Sequence, residues 1–187
     1  VCFKSYLIHL AITSRRELVF GPEELATLNE DELPVYTILV PLYQEAEVLP
    51  RLVKGLEQLQ YPAEKLDVLL LLEEDDYDTI RAARALDLPP YVRVVKTPDE
   101  PPRTKPKACN LGLGLARGKY LVIYDAEDRP EPDQLLKAVL GFRELPDQVV
   151  CLQAKLNFYN QQQNLLTRWF TTDYSVWFDL MLPGIDY

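Results

Sequence analysis

The sequence predicts an α/β fold, a mostly parallel central sheet with helices on both faces. Short apolar runs recur along the middle of the chain with no polar alternation, the mark of strands buried on both faces. Segments with apolar residues at helical spacing lie between them, which favours parallel strands joined by crossover helices. Three of the runs end in polar and acidic residues, where an open parallel sheet gathers its ligands.

The elements follow in order. Val1 to Ile12 is an apolar stretch interrupted by Lys4 and His9, either a terminal amphipathic helix or the stub of a longer apolar segment. After an acidic segment from Pro22 to Glu32, Val35 to Pro41 reads as the first strand. Glu45 to Leu59 reads as a helix, with Val48, Leu52, Val53, Leu56 and Leu59 on one face and Tyr61-Pro62 as its stop. Leu66 to Leu72 is a second strand running into Glu73-Glu74-Asp75-Asp76. A helix is expected from Asp78 to Leu86, with Asp78 or Thr79 near its N-cap. Tyr91 to Val95 is a third strand, and Thr97 to Pro106 a proline-rich loop. Lys105 to Ala116 is expected to be helical despite Gly112 and Gly114. Tyr120 to Tyr124, Pro132 to Leu145 and Val149 to Leu156 complete the pattern as strand, helix and strand. Asn164 to Leu182 carries a broad apolar face with Trp169, Phe170, Tyr174, Trp177 and Phe178. That face suits either a packed helix or one lying at a membrane boundary. Leu182 to Tyr187 reads as a turn leading onward.

Composition narrows the function. The chain has 187 residues, 48% of them hydrophobic, enough for a sizeable core. A net charge of -9 disfavours a nucleic-acid partner, which selects a basic face. Cys2, Cys109 and Cys151 are far apart and His9 is the sole histidine, so a zinc site or a disulfide framework is not expected.

The chemistry gathers at the strand ends. The run Tyr120 to Tyr124 drives into Asp125-Ala126-Glu127-Asp128, three carboxylates within four positions. Such a cluster is either a solvated acidic turn or a site for a hard divalent cation, Mg²⁺ or Mn²⁺, held by Asp125, Glu127 and Asp128. Pro41, Tyr43 and Glu45 end the first strand, Glu73 and Glu74 follow the second, and Lys107 stands where it could meet a phosphate.

In this order the residues resemble family-2 glycosyltransferases with a GT-A-type nucleotide-binding fold, the processive cellulose-synthase-like branch in particular. Val40-Pro41-Leu42-Tyr43-Gln44-Glu45 is similar to the family's V-P-x-Y-N-E opening. Glu73 to Asp76 stands where the family has a D-D pair, and Lys107 to Gly112 resembles K-x-x-A-L-N-x-G. Ala116-Arg117-Gly118-Lys119-Tyr120 resembles A-x-G-x-Y, and Asp125-Ala126-Glu127 resembles D-x-D. The resemblance implies a nucleotide-diphosphate sugar donor, usually a UDP-sugar, and inverting transfer to a glycan or lipid acceptor. It implies that Pro41, Tyr43 and Glu45 line the nucleoside pocket and that Glu73 or Glu74 holds uracil or ribose. Lys107 would then sit near the diphosphate, Asp125 on ribose or metal, and Glu127 on the metal with Asp128 assisting. It further implies a membrane-associated enzyme with its catalytic domain on the cytoplasmic side and membrane segments flanking this chain.

The expected organisation is an N-terminal segment over residues 1–33, a donor-binding domain over 34–156 and an aromatic helix over 157–187. The family's catalytic base, in an E-D motif, and its Q-x-x-R-W acceptor motif are expected beyond Tyr187. Gln163 to Trp169 has the wrong spacing for the latter. Asp173 and Asp179 are the remaining late acids. Two other readings stay open: a non-catalytic nucleotide-sugar-binding or interaction module, and a nucleotidyltransferase, although the latter usually brings a Gly-rich phosphate loop where this chain has Tyr43-Gln44-Glu45.

Overall fold

The computed structural model describes residues 2–14, 17–101, 104–156 and 160–185. In chain order the elements are α1 (Cys2–Ser14), α2 (Pro22–Leu25), β1 (Tyr36–Leu42), α3 (Leu49–Leu56), β2 (Leu66–Glu73), α4 (Tyr77–Ala85), β3 (Val92–Thr97), α5 (Lys105–Leu115), β4 (Tyr120–Ile123), α6 (Gln134–Glu144) and α7 (Leu165–Ser175). A π-helical segment, Val176–Met181, and α8 (Leu182–Ile185) follow. The chain divides into two compact units, Pro22–Arg143 and Val1–Gly21 with Glu144–Tyr187.

The first unit is built on a four-stranded sheet of order β3-β2-β1-β4, parallel throughout, as the sequence predicts. The strands alternate between two buried faces. Ile38, Val40 and Leu42 of β1, with Val68, Leu70 and Leu72 of β2, point to the face covered by Leu49, Leu52 and Leu56 of α3, Ile80 and Ala83 of α4, and Leu135 and Val139 of α6. Leu39, Leu69 and Leu71 point to the opposite face and meet Ala108 of α5. Covering both faces is what lets β2 run apolar without alternation from Val68 to Leu72. The chain steps outward from β1 to β3, then returns through α5 to β4 on the far side of β1. The change of direction puts α5 on the opposite face, as right-handed crossovers require, and opens a crevice beside β1.

Gly112 lets α5 approach the sheet. A Cβ there would lie 2.9 Å from side-chain carbons of both Leu39 and Leu71. Gly118, just before β4, is still tighter. Its added Cβ would fall 2.5 Å from the Thr37 backbone nitrogen, while its N–H donates to the Thr37 hydroxyl at 2.8 Å. Thr37 belongs to a buried polar cluster. Asp67 accepts from the Thr37 hydroxyl, from the Arg117 N–H and from two nitrogens of the Arg93 guanidinium. The A-x-G-x-Y segment therefore fastens the start of β4 to β1 and β2.

Several boundaries differ from expectation. The segment Glu45 to Val48 is a turn and α3 begins at Leu49, with Pro50 in its first turn. Asp76, not Asp78 or Thr79, caps α4. Val149 to Leu156 is not a strand. Val149 bonds back to Pro146, Val150 is 86% exposed, and no ladder forms among the described residues. A strand needs a partner to satisfy its backbone, and apolar content alone does not supply one.

In the second unit, α1 buries Leu7 and Ala11 and packs against α8 and the π-helical segment. Gly184 sits so close that a Cβ would lie 2.1 Å from the Leu7 carbonyl oxygen. Asn164 and Thr167 form a reciprocal capping box at the start of α7. Lys155 bridges Glu17 at 2.7 Å and Asp179 at 2.9 Å. Leu182 to Ile185 is helical, where a turn was expected. Asp186 and Tyr187 of that expected turn lie outside the described residues, as do Val1 of the terminal helix and Pro102 and Arg103 of the proline-rich loop. No helix among the described residues is long and apolar enough to cross a membrane.

Candidate active site

The carboxyl ends of β1 and β2, the start of α5 and the segment after β4 enclose a cavity of about 360 Å³. Pro41, Tyr43 and Glu45 line it from the first strand, and Leu71 and Glu73 from the second. Thr104, Lys105 and Ala108 contribute from α5, and Asp125, Ala126 and Glu127 from the turn after β4. Its place beside β1 is the crevice where the strand order reverses.

The turn after β1 is pinned from below. Gln44 has a left-handed backbone, φ 58°, and its N–H donates to Asp76 Oδ2 at 2.6 Å. The Glu45 N–H donates to the Thr79 hydroxyl at 3.1 Å. Asp76 also accepts the Thr79 N–H at 3.2 Å as the cap of α4. Burial pushes the Asp76 carboxyl up, but bonds from the Thr79 hydroxyl, the Gln44 N–H and the Thr79 N–H outweigh it and hold the group below its ordinary range. The start of α4 thus fixes where Tyr43 and Glu45 project.

Glu45 and Glu73 each carry a buried oxygen, Oε2, with no hydrogen-bond partner. Glu73 is only 8% exposed. Burial raises the Glu45 carboxyl above its ordinary range, the Glu127 and Asp76 charges add to this, and the Tyr43 N–H and Lys105 oppose it. A buried acceptor left without a partner costs free energy in the folded protein.

After β4 the backbone turns tightly. The Asp125 N–H donates to Asp128 Oδ2 at 2.8 Å, and the Asp128 N–H returns to the Asp125 carbonyl. The Asp125 carboxylate pairs with Lys105. Burial raises the Asp128 carboxyl and Lys105 partly offsets it. Glu127 is exposed on the cavity wall.

The structure therefore brings Pro41, Tyr43, Glu45, Glu73, Asp125 and Glu127 together and leaves three expected residues aside. Glu74 is exposed, and its N–H donates to the Thr97 carbonyl. Period-two alternation sends Glu73 to the face of Leu71 and Glu74 to the other. Asp128 closes its own turn instead of facing the cavity. Lys107, expected near a phosphate, donates to the Pro98 and Glu100 carbonyls and is absent from the wall, where Lys105 stands. Two positions along a helix turn about 200°, so the two lysines face apart. The sheet-facing stripe of α5, Ala108 and Gly112, continues back to Lys105, a signal readable in the sequence.

A family model described as Glycosyl transferase family 2 matches residues 37–183. The chain belongs to this family. Within glycosyl transferase family 2 it is 25% identical over 158 residues to the probable glycosyltransferase YdaM of Bacillus subtilis (strain 168), covering 83% of this chain and 37% of that protein. It is 30% identical over 170 residues to the probable glucomannan 4-beta-mannosyltransferase 7 of Oryza sativa subsp. japonica, covering 84% of this chain and 29% of the relative. Among solved structures it resembles the mannosyltransferase PcManGT from Pyrobaculum calidifontis in complex with GDP-Man and Mn²⁺. The TM-score is 0.60 at 25% identity, covering 84% of this chain and 46% of that one. The fold is thus of the GT-A type found in glycosyl transferase family 2. The chain spans about a third of the length of the curated relatives it matches.

A divalent cation is the group this family fold implies. No three acidic, histidine or cysteine side chains converge on a metal position among the described residues. A cage of that kind is not needed, because Mg²⁺ is commonly held by one or two carboxylates with substrate phosphates completing the shell. Asp125 and Glu127 offer hard oxygens on the same wall, and the Lys105 ammonium already stands at Asp125 as a positive charge. The donor set fits such an ion.

Proposed function

We propose that this chain is the donor-binding part of an inverting glycosyltransferase that uses a nucleotide-diphosphate sugar. The observation that carries the reading is the single cavity at the strand ends, lined at once by Glu45, Glu73, Lys105, Asp125 and Glu127. Acceptors for the nucleoside, a cation for the diphosphate and a carboxylate pair for a metal are the separate needs of such a donor. Mn²⁺ or Mg²⁺ held by Asp125 and Glu127 would stabilise the negative charge growing on the departing diphosphate. Lys105 exchanges its partner from Asp125 to a phosphate oxygen, adding a second positive charge on the leaving group. Tyr43 and Glu45 hold the nucleoside, and the Asp76 anchor keeps that turn in place.

The acceptor we propose is a glycan or lipid, with a membrane close by on the cytoplasmic side. Support comes from the large apolar side chains that stand exposed in the second unit: Phe3 and Tyr6 of α1, and Leu165, Leu166 and Trp169 of α7. Aromatic residues with one wet and one apolar side are favoured at bilayer boundaries. The catalytic base in this reading is the acid of the family's E-D motif, expected beyond Tyr187.

Calorimetric titration of nucleoside diphosphates with and without Mn²⁺ tests the donor reading. Metal-dependent binding that is lost in Asp125→Ala, with the fold intact by circular dichroism, is the expected result. Failure of every nucleoside diphosphate to bind in the presence of Mn²⁺ overturns it.

A further inference from the structure

We infer that the second unit holds one amphiphile, a phospholipid whose head group carries both a phosphate and an amine. This rests on the proposal that a membrane lies close to this unit, and it does not depend on the strand-end cavity. The site is a second cavity, of about 480 Å³, within the range of small-molecule sites. Two helical faces form it. Lys4 and Ile8 of α1 stand four positions apart and so share a face. Opposite them, Asp173 of α7 is followed three and four positions on by Val176 and Trp177. Phe178 and Met181 complete that wall from the π-helical segment. Such wide turns are rare in helices and recur at functional sites.

The walls grade from polar to apolar. Lys4 and Asp173 are exposed, Ile8, Val176 and Phe178 are half-buried, and Met181 is buried. Charge thus stands on the wetter side of the cavity and hydrocarbon on the closed side, the division that a head group and its acyl chains need. The two charges are of opposite sign and uncommitted. Among the described residues, the ion pairs of this unit join Lys155 to Glu17 and to Asp179. Lys4 and Asp173 are held by no described side chain and do not pair with each other. An ammonium suits a phosphate, and a carboxylate suits the N–H donors of a primary amine. A purely anionic lipid would satisfy Lys4 and set a like charge beside Asp173. A glycan fits less well, because no amide or small hydroxyl side chain lines the cavity among the described residues, and those groups match sugar hydroxyls as donor and acceptor. Exposed aromatic side chains lie close by in the chain. Phe3 and Tyr6 flank Lys4 in α1, and Trp177 on the wall is 45% exposed. Trp and Tyr are favoured at the level of lipid head groups.

Titration of the 187-residue chain with dihexanoyl lipids below their micelle concentration tests the assignment. Calorimetry reads it, together with the fluorescence of Trp177 in a Trp169→Phe background. Dihexanoyl phosphatidylethanolamine is expected to saturate one site. Dihexanoyl phosphatidylglycerol keeps the phosphate and the chains but lacks the amine, and should bind about tenfold more weakly, the weight of one charge-assisted hydrogen bond. Phosphoethanolamine, the head group alone, should bind at least about a hundredfold more weakly, since the chains supply the buried methylenes. Asp173→Asn should erase the preference for the amine, and Lys4→Gln should weaken both lipids. Both side chains are exposed, and a thermal melt checks that each variant is folded. Equal binding of the two lipids, a preference unmoved by Asp173→Asn, or phosphoethanolamine or hexyl glucoside binding as tightly as the amine lipid overturns the site. Sedimentation with phosphatidylcholine vesicles separates this failure from that of the membrane reading. A chain that sediments without a saturable lipid site loses the site and keeps its membrane, and a chain that does neither loses both.

Discussion

Asp76 holds Gln44 in place across a 32-residue separation: the carboxylate that caps α4 also accepts the N–H of the left-handed residue after β1. A helix start and a cavity wall thereby share one side chain. Asp76→Ala removes an N-cap and a charge-assisted bond together, and is expected to cost about 2 kcal/mol of stability. It should also weaken nucleoside diphosphate binding, because Tyr43 and Glu45 lose their anchor. Asp76→Asn keeps one acceptor for the cap but turns its amide N–H₂ toward the Gln44 N–H, so it should recover only part of the stability. Urea denaturation and calorimetry on both variants check this, and an Asp76→Ala protein with unchanged affinity contradicts the anchoring role.

Gln44 itself stores strain. A non-glycine residue in the left-handed region costs roughly 1 kcal/mol, and a β-branched one more. Gln44→Gly should be neutral or stabilising, whereas Gln44→Val should destabilise by about 1–2 kcal/mol. Thermal melts of the pair give the ordering.

Two glycines should respond in opposite senses to the same substitution. Gly114 of α5 has no atom within 4 Å of an added Cβ, so Gly114→Ala should stabilise by about 0.5–1 kcal/mol through helix propensity. Gly118→Ala drives a methyl into the backbone of Thr37 and displaces the bond to its hydroxyl, for a loss of about 3 kcal/mol. Denaturant midpoints decide the matter, and Gly118→Ala matching wild type would show that the joint between β1 and β4 can yield.

Lys105 and Lys107 separate the two faces of α5. Lys105→Ala should weaken a nucleoside diphosphate by about tenfold and the corresponding nucleoside hardly at all, since the lost contact is with phosphate. Lys107→Ala should leave both affinities near wild type. The reverse ranking would return the phosphate contact to Lys107.

The raised carboxyl of Glu45 gives the cavity a pH signature. A group whose folded value lies above its unfolded one contributes stability that is full below the unfolded value and lost as pH rises through the folded value. Glu45 therefore stabilises the fold in weak acid and destabilises it near neutrality. Asp76, held low, has the opposite sign, and its contribution disappears only as pH falls through its lowered value. Glu45→Gln should raise stability at about pH 7 and flatten the change between about pH 4 and about pH 7. Urea midpoints at the two pH values test this, and a variant less stable than wild type at about pH 7 would rule it out.

The sequence alone determined the alternation of strands and helices, the parallel sheet and the strand ends at which polar residues collect. Those features follow from local period and from burial on both faces, which any short window reveals in runs such as Leu66 to Leu72. It also named six of the cavity residues, because motif order carries them: Pro41, Tyr43, Glu45, Glu73, Asp125 and Glu127. Tertiary structure alone decided between neighbours. Glu73 faces the cavity and Glu74 does not because β2 is paired on both sides and α5 lies over one of its faces. Lys105 stands on the wall in place of Lys107 because Gly112 seats α5 against Leu39 and Leu71, and so fixes its rotation. Asp128 turns back to Asp125 for want of backbone satisfaction in a tight turn. Val149 to Leu156 has strand composition and finds no ladder among the described residues. Each of these outcomes depends on contacts between residues distant in the chain, and local spacing does not encode which of two adjacent side chains will meet them.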